Sequence, residues 1–253
     1  MTRWWAWGVL VIGGVGVAGC HVISPEHLKD KPTEAEAVAA TPVSRAVEPA
    51  AADDALALAA DGMAAGDDAA AAKHLTRHLR AFPDQLVFRN QLAELLFKLG
   101  KFAEARDHFA KFDAAAAGSA PLLGQRIHCH TRLMEIAQER DDAFAEKLHR
   151  AIGLYLIAGE VQAKQDDPAE LSPDAEKLWC RAAAELKEAA ALREDDARCA
   201  WYQHLVWTKL DQPRPAEKAL RVAAAHAAYA PLPPGEEREM RAALDSSEYR
   251  AAK

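Results

Sequence analysis

The chain is 253 residues long, half of them hydrophobic, and 31 Lys and Arg against 38 Asp and Glu leave a formal net charge of −7. That length buries a sizeable core, while an acidic balance gives no field for nucleic-acid phosphates, so nucleic acid is excluded as a partner class. The four cysteines, Cys20, Cys129, Cys180 and Cys199, show no CxxC spacing and so indicate neither a zinc ribbon nor a disulfide framework.

Met1-Thr2-Arg3 makes a small positive start, and Trp4 to Val17 is an apolar run. The run is short of the roughly 20 apolar residues that span a bilayer and has the length of a signal-peptide core. It ends in Val17-Ala18-Gly19-Cys20. This quartet (aliphatic, small, glycine, cysteine) resembles the lipobox of bacterial lipoproteins. The resemblance implies that residues 1–19 are a signal peptide removed by signal peptidase II, and that Cys20 becomes an N-terminus carrying acyl chains such as palmitate. An uncleaved membrane anchor is the alternative reading of the same run. His21 stands where enterobacterial lipoproteins retained in the inner membrane have aspartate, so the family rule favours the periplasmic face of the outer membrane. Residues 20–52 carry Pro25, Pro32, Pro42 and Pro49 among charged residues with no apolar period. Such a stretch reads as a flexible linker, spanning on the order of 30 Å as a coil.

Residues 53–230 change character. Ala, Leu, Glu, Lys and Arg dominate, which favours helices because these side chains lose little freedom in them. Leu58-Ala59, Gly66-Asp67, Ala71 and Leu75 recur 34 residues later as Leu92-Ala93, Gly100-Lys101, Ala105 and Phe109. Each unit predicts two helices, Ala55–Met63 with Asp68–Ala81, and Val87–Leu99 with Phe102–Lys111. Gly66 and Gly100 stand at the turns, where only glycine adopts a left-handed conformation without strain. With this period, and small residues at Ala59, Ala71, Ala93 and Ala105, the units resemble tetratricopeptide repeats. No Trp opens either unit, and Gly62 stands where that family has an aromatic.

After Pro121, the spacing of Leu123, Ile127, His130, Met134 and Ala137 predicts a helix, Arg140-Asp141-Asp142 a turn, and Phe144 to Ala163 a long helix. Lys164 to Pro173 is an acidic, proline-bearing loop ending in Ser172 as N-cap and Pro173 as first helical residue, with a helix from Asp174 to Leu192. The sequence leaves open which member of a pair each of these helices is. Asp195-Asp196 then opens a further repeat-like unit with Ala200, Trp201 and Tyr202 on its first helix and Ala216 to Leu220 on its second. Here Asp211 replaces the turn glycine, and Pro213 and Pro215 are expected to stiffen the turn. Residues 231–253 begin with a Pro-rich break and hold a short helix, Glu236 to Leu244, expected to cap the last repeat.

Candidate chemistry is sparse. His128-Cys129-His130 is consecutive, and neighbours on a helix point about 100° apart, so the three do not converge on one metal ion. His74 and His78 have chelating spacing without a third ligand. No Gly-x-Ser-x-Gly and no phosphate-cradling glycine loop occurs. No cofactor, metal or catalytic residue is therefore assigned. A Cys180–Cys199 bridge is disfavoured because the two lie at different distances from the turn near Asp195.

The reading is an all-α, tetratricopeptide-like solenoid of antiparallel helix pairs that works as a membrane-anchored scaffold or adaptor in the cell envelope, binding a protein or peptide partner and not acting as an enzyme. In the family the first helices line a groove. That resemblance places Asn90, Glu94, Phe97 and Lys98 of the second unit, and Trp201, Leu205 and Lys209 of the later one, in it. The competing readings are an envelope hydrolase with an unrecognised site and a structural spacer with no groove partner.

Overall fold

The computed structural model describes residues 49–246 except 166, 168 and 169, with side chains from residue 54 onward. The signal peptide, Cys20 and most of the linker expected from the sequence lie outside the described residues. Among the described residues every regular element is helical: α1 (Pro49–Ala65), α2 (Asp68–Ala81), α3 (Leu86–Lys98), α4 (Phe102–Ala116), α5 (Leu123–Glu139), α6 (Ala143–Ala163), α7 (Pro173–Leu192), α8 (Ala197–Lys209), α9 (Pro213–Ala227) and α10 (Pro234–Asp245), with a 3-10 turn at Ala120–Leu122. None of these helices is long and apolar enough to cross a membrane.

Four hairpins are built by one turn geometry. In each, the residue after the left-handed position reaches back five residues: Asp67 N–H donates to Gly62 at 2.8 Å, Lys101 to Leu96 at 2.9 Å, Asp142 to Ala137 at 2.9 Å and Gln212 to Trp207 at 2.9 Å. The left-handed residues are Gly66 (φ 73°), Gly100 (φ 69°), Asp141 (φ 53°) and Asp211 (φ 52°). This is the motif that satisfies the last carbonyls of a helix while reversing the chain, and aspartate tolerates its positive φ better than most side chains. Asp67 and Asp142 also cap the following helices, accepting from Ala70 N–H at 2.9 Å and Ala145 N–H at 3.0 Å. Pro213, expected to stiffen the last turn, instead occupies the first helical position of α9, where its fixed φ suits the helix and no N–H is missed.

The turns pair α1 with α2, α3 with α4, α5 with α6 and α8 with α9, giving an all-α, tetratricopeptide-like array of antiparallel helix pairs. The phase left open by the sequence is resolved: α5 is a first helix and α6 its partner, while α7 stands between two pairs and packs mainly along α6. Ser172 caps α7, its hydroxyl accepting from Ala175 N–H at 3.4 Å, and Pro173 opens it. The absence of a side chain at Gly62, where the repeat family has an aromatic, has a local reason. A Cβ there would lie 3.0 Å from the Ala71 backbone nitrogen, so glycine lets α1 and α2 close to near contact.

Two hydrophobic cores result. The first joins α1 to α5 through Leu75, Leu92, Leu96, Phe109, Phe112 and Ile136; the second joins α6 to α10 through Ile152, Trp179, Leu186, Trp201, Val206 and Met240. Each such side chain contributes roughly 1.5–3 kcal/mol when fully buried. The terminal helix α10 does more than cap the last pair, as it also packs on α4, with Gly235 against Ala117. Cys129, Cys180 and Cys199 are free thiols. Buried Cys199 donates to the Leu186 carbonyl at 3.3 Å, and burial pushes its thiol up to about 12.

The turn geometry sets an expected contrast between two glycine substitutions. Gly100→Ala places a side chain at positive φ and should cost about 1 kcal/mol. Gly159→Ala, inside α6 with open space around it, should be neutral or stabilise by about 0.5–1 kcal/mol. Urea melts followed by circular dichroism check both signs.

Candidate functional site

Two sets of side chains stand out, one on the surface and one buried. The surface set lies where first helices α3 and α5 run side by side. The Glu94 carboxylate accepts from His128 Nε2 at 2.8 Å and from Arg132 Nε at 3.2 Å, and Arg132 donates through its second arm to Glu135 at 2.8 Å. Held from both sides, the Arg132 guanidinium sits 4.6 Å from the centre of the Phe97 ring, within cation–π range. Burial alone would raise the Glu94 carboxyl, but the His128 hydrogen bond and the His128 and Arg132 charges outweigh it and hold it below its ordinary value. The result is a charge-paired aromatic surface whose side chains are linked to one another.

The groove residues expected from the sequence separate into two groups. Glu94 and Phe97 are brought together by Arg132. Asn90 lies one turn earlier on α3 with its Oδ1 buried and unpartnered, and Lys98 is exposed at the helix end. On α8, Lys209 is exposed and Leu205 is half-buried against the second core. Trp201 is 2 % exposed and stacks on His204 with centroids 5.2 Å apart, so it contributes packing rather than open surface. No hydrogen bond or ion pair among the described residues links the α3 group to the α8 group. His128, Arg132 and Glu135 were not among the expected residues. The signal for His128 existed, since it lies 34 residues after its partner Glu94, one repeat further on.

The buried set centres on Asp113 of α4, 1 % exposed. Its Oδ1 accepts from Arg126 Nε at 3.0 Å and His130 Nε2 at 3.1 Å, both on α5, and its Oδ2 accepts from Arg198 of α8 at 2.5 Å. Arg198 also grips Glu236 of α10 with two arms, at 2.9 Å and 2.6 Å, and the Tyr202 hydroxyl donates to the same carboxylate at 3.0 Å. On the far side His130 Nδ1 meets His149 Nδ1 of α6 at 3.1 Å. Two carboxylates thus face two guanidiniums, and each carboxylate oxygen has at least one donor. Burial would raise the Asp113 carboxyl, but His130, Arg198 and Arg126 together hold it well below the usual aspartate range. The sequence offered no signal for this set, because Asp113 and Arg198 are 85 residues apart. Chemically it is a closed lock: the acceptors are saturated by the protein's own donors.

The consecutive triad diverges as helix geometry requires. His128 turns to Glu94, Cys129 is buried with Sγ 3.4 Å from the Phe109 carbonyl, and His130 joins Asp113. Of the other pair, His78 is buried and bonded to Gln85 at 2.8 Å while His74 is half-buried. Among the described residues no group of three His, Cys, Asp or Glu is arranged to hold a metal ion.

No family model and no curated protein matches the chain. Among solved structures it is similar to a crystal structure of MamA protein, at 14 % identity and a TM-score of 0.35, over 78 % of this chain and 97 % of that one. A second likeness is to MamA 41-end from Desulfovibrio magneticus RS-1, at 14 % identity and a TM-score of 0.30, over 78 % of this chain and 98 % of that one.

Removing one member of the buried lock leaves the other charges uncompensated, so Asp113→Asn should lower stability at neutral pH by about 3–5 kcal/mol in urea melts. The pH dependence has a defined sign. Because the folded carboxyl is depressed, its contribution is complete above the ordinary aspartate value of about 3.9 and drains away as pH falls through the folded value. The gap between wild type and Asp113→Asn should therefore narrow in melts repeated below about pH 4. Burial, the His130 ring and the Arg198 guanidinium push His149 well below its ordinary value, so acid also costs stability there, starting below about pH 6.5.

Proposed function

We propose that this chain is a protein-binding scaffold of helix pairs, held at a bacterial envelope membrane by acyl chains on Cys20. The observation that supports binding best is the α3–α5 surface. An aromatic ring, a guanidinium fixed over it and two carboxylates are held in one geometry by their own ion pairs. Aromatic and arginine side chains dominate binding energy at protein interfaces, and a surface ordered before contact loses less entropy on association. The anchoring half of the proposal rests on the Val17-Ala18-Gly19-Cys20 quartet after an apolar run and on the proline-bearing stretch that follows. A tether of this kind confines the array near the membrane and raises its effective concentration for other envelope proteins.

Crosslinking in intact cells followed by pull-down of the full chain should recover a reproducible protein partner. Phe97→Ala and Arg132→Ala should each reduce that recovery about tenfold or more, the effect expected of central interface residues. Recovery of no reproducible protein would favour the spacer reading. For the anchor, mass spectrometry of the membrane-bound protein should find an N-terminal Cys20 carrying acyl chains, and Cys20→Ala should leave the chain unprocessed. A mature protein that still begins with Met1-Thr2-Arg3 would overturn it.

A further inference from the structure

A second surface, apart from the α3–α5 set, runs along α2 and the α3–α4 turn. It is an open cleft of about 740 Å³, within the range of about 300–1,000 Å³ typical of ligand sites. Ala69, Ala72, Leu96 and Leu99 line it with apolar atoms, Leu99 being 37 % exposed. Lys73, Arg77 and Arg80 stand on one face of α2, at spacings that place them on consecutive turns, and Lys101 faces them from the start of α4. Of these four cations only Lys101 has an acidic partner among the described residues, Glu104 at 3.7 Å, and that pair is exposed. Lys73, Arg77 and Arg80 form no ion pair among the described residues, and the one carboxylate that lines the cleft, Glu104, is paired with Lys101.

We propose that this cleft binds an acidic, aliphatic peptide segment of a protein partner, its carboxylates on Lys73, Arg77, Arg80 and Lys101 and its aliphatic side chains on the floor between them. The small residues Ala69 and Ala72 supply the depth, because two methyl groups leave room where longer side chains would fill the cleft. The guanidiniums of Arg77 and Arg80 suit carboxylates in particular, since their planar fork donates two parallel hydrogen bonds. A protein segment fits better than an anionic membrane surface because the cations rim a recess with an apolar floor instead of crowning a protrusion. The proposal shares with the preceding reading only the class of partner. It uses other residues and a synthetic probe, so the two fail separately.

The test is fluorescence anisotropy of a labelled short peptide of alternating Glu and Leu, titrated with the full-length chain in detergent. Saturable binding is expected that weakens about tenfold or more between about 0.05 and 0.5 M salt and is not shown by a Lys–Leu peptide of the same length. Lys73→Glu with Arg77→Glu, both exposed and outside the cores, should abolish it while leaving the circular dichroism melt in place. Lys187→Glu with Lys218→Glu changes the net charge equally at distant exposed positions and should leave binding intact. Equal loss in both double variants, or binding of the Glu–Leu peptide unaffected by Lys73→Glu and Arg77→Glu, overturns the proposal. So does failure to bind the peptide while phosphatidylglycerol vesicles bind through the same residues.

Discussion

The Asp113 carboxylate is the constraint on which the arrangement of the two halves depends. Hydrophobic burial builds a core on each side of it, but burial is nondirectional and by itself tolerates sliding of one helix stack against the other. The hydrogen bonds from Arg126, His130 and Arg198 have direction, and they fix α4, α5 and α8 in one register. Through Arg198 the same network takes hold of Glu236 and hence of α10. Such a lock is a poor source of net stability, because withdrawing four charges from water costs as much as their mutual attraction returns. Its role is specificity: misaligned stacks would leave buried charges without partners, and those states are heavily penalised.

The register matters because the array is not a plain succession of pairs. The helix α7 interrupts the alternation, packing along α6 and bringing the chain back so that α8 starts beside the seam. On α5 the division is visible within one helix. Cys129, Leu133 and Ile136 face the first core, Leu123 and Ile127 the second, and Arg126 and His130, one turn apart, fall on the stripe between. The 3.6-residue period separates these three duties.

What was legible in the sequence was local. The helix pairs, the left-handed positions at Gly66 and Gly100, the Ser172–Pro173 start of α7 and the aspartate at the last turn follow from backbone preferences acting over a few residues, and these survive in any tertiary setting. The lock was illegible for the opposite reason: its members are ordinary surface-type residues until the fold brings them together from four helices and a terminal cap. Trp201 marks the boundary between these cases. A tryptophan on a first helix suits a groove as well as a core, and only the packing of α8 on its neighbours decides for the core. His128 was within reach, but recognising it required knowing that α5 is a first helix, which the long α6 and the inserted α7 obscure in the sequence.

A locked array behaves differently from a springy solenoid when it binds. In an open stack each repeat touches only its neighbours, so curvature shifts cheaply and a partner must select one shape from many. Here α4 is tied to α8 and α10 across the molecule, so displacing α4 against the C-terminal half would break charge pairs in the middle. The cleft along α2 is built on the same first core as the α3–α5 surface, which α2, α3, α4 and α5 share. Both surfaces proposed for binding would then be presented from one shared core. Order that folding has already imposed is not lost again on association, and two weak contacts held at a fixed separation act together as one strong one.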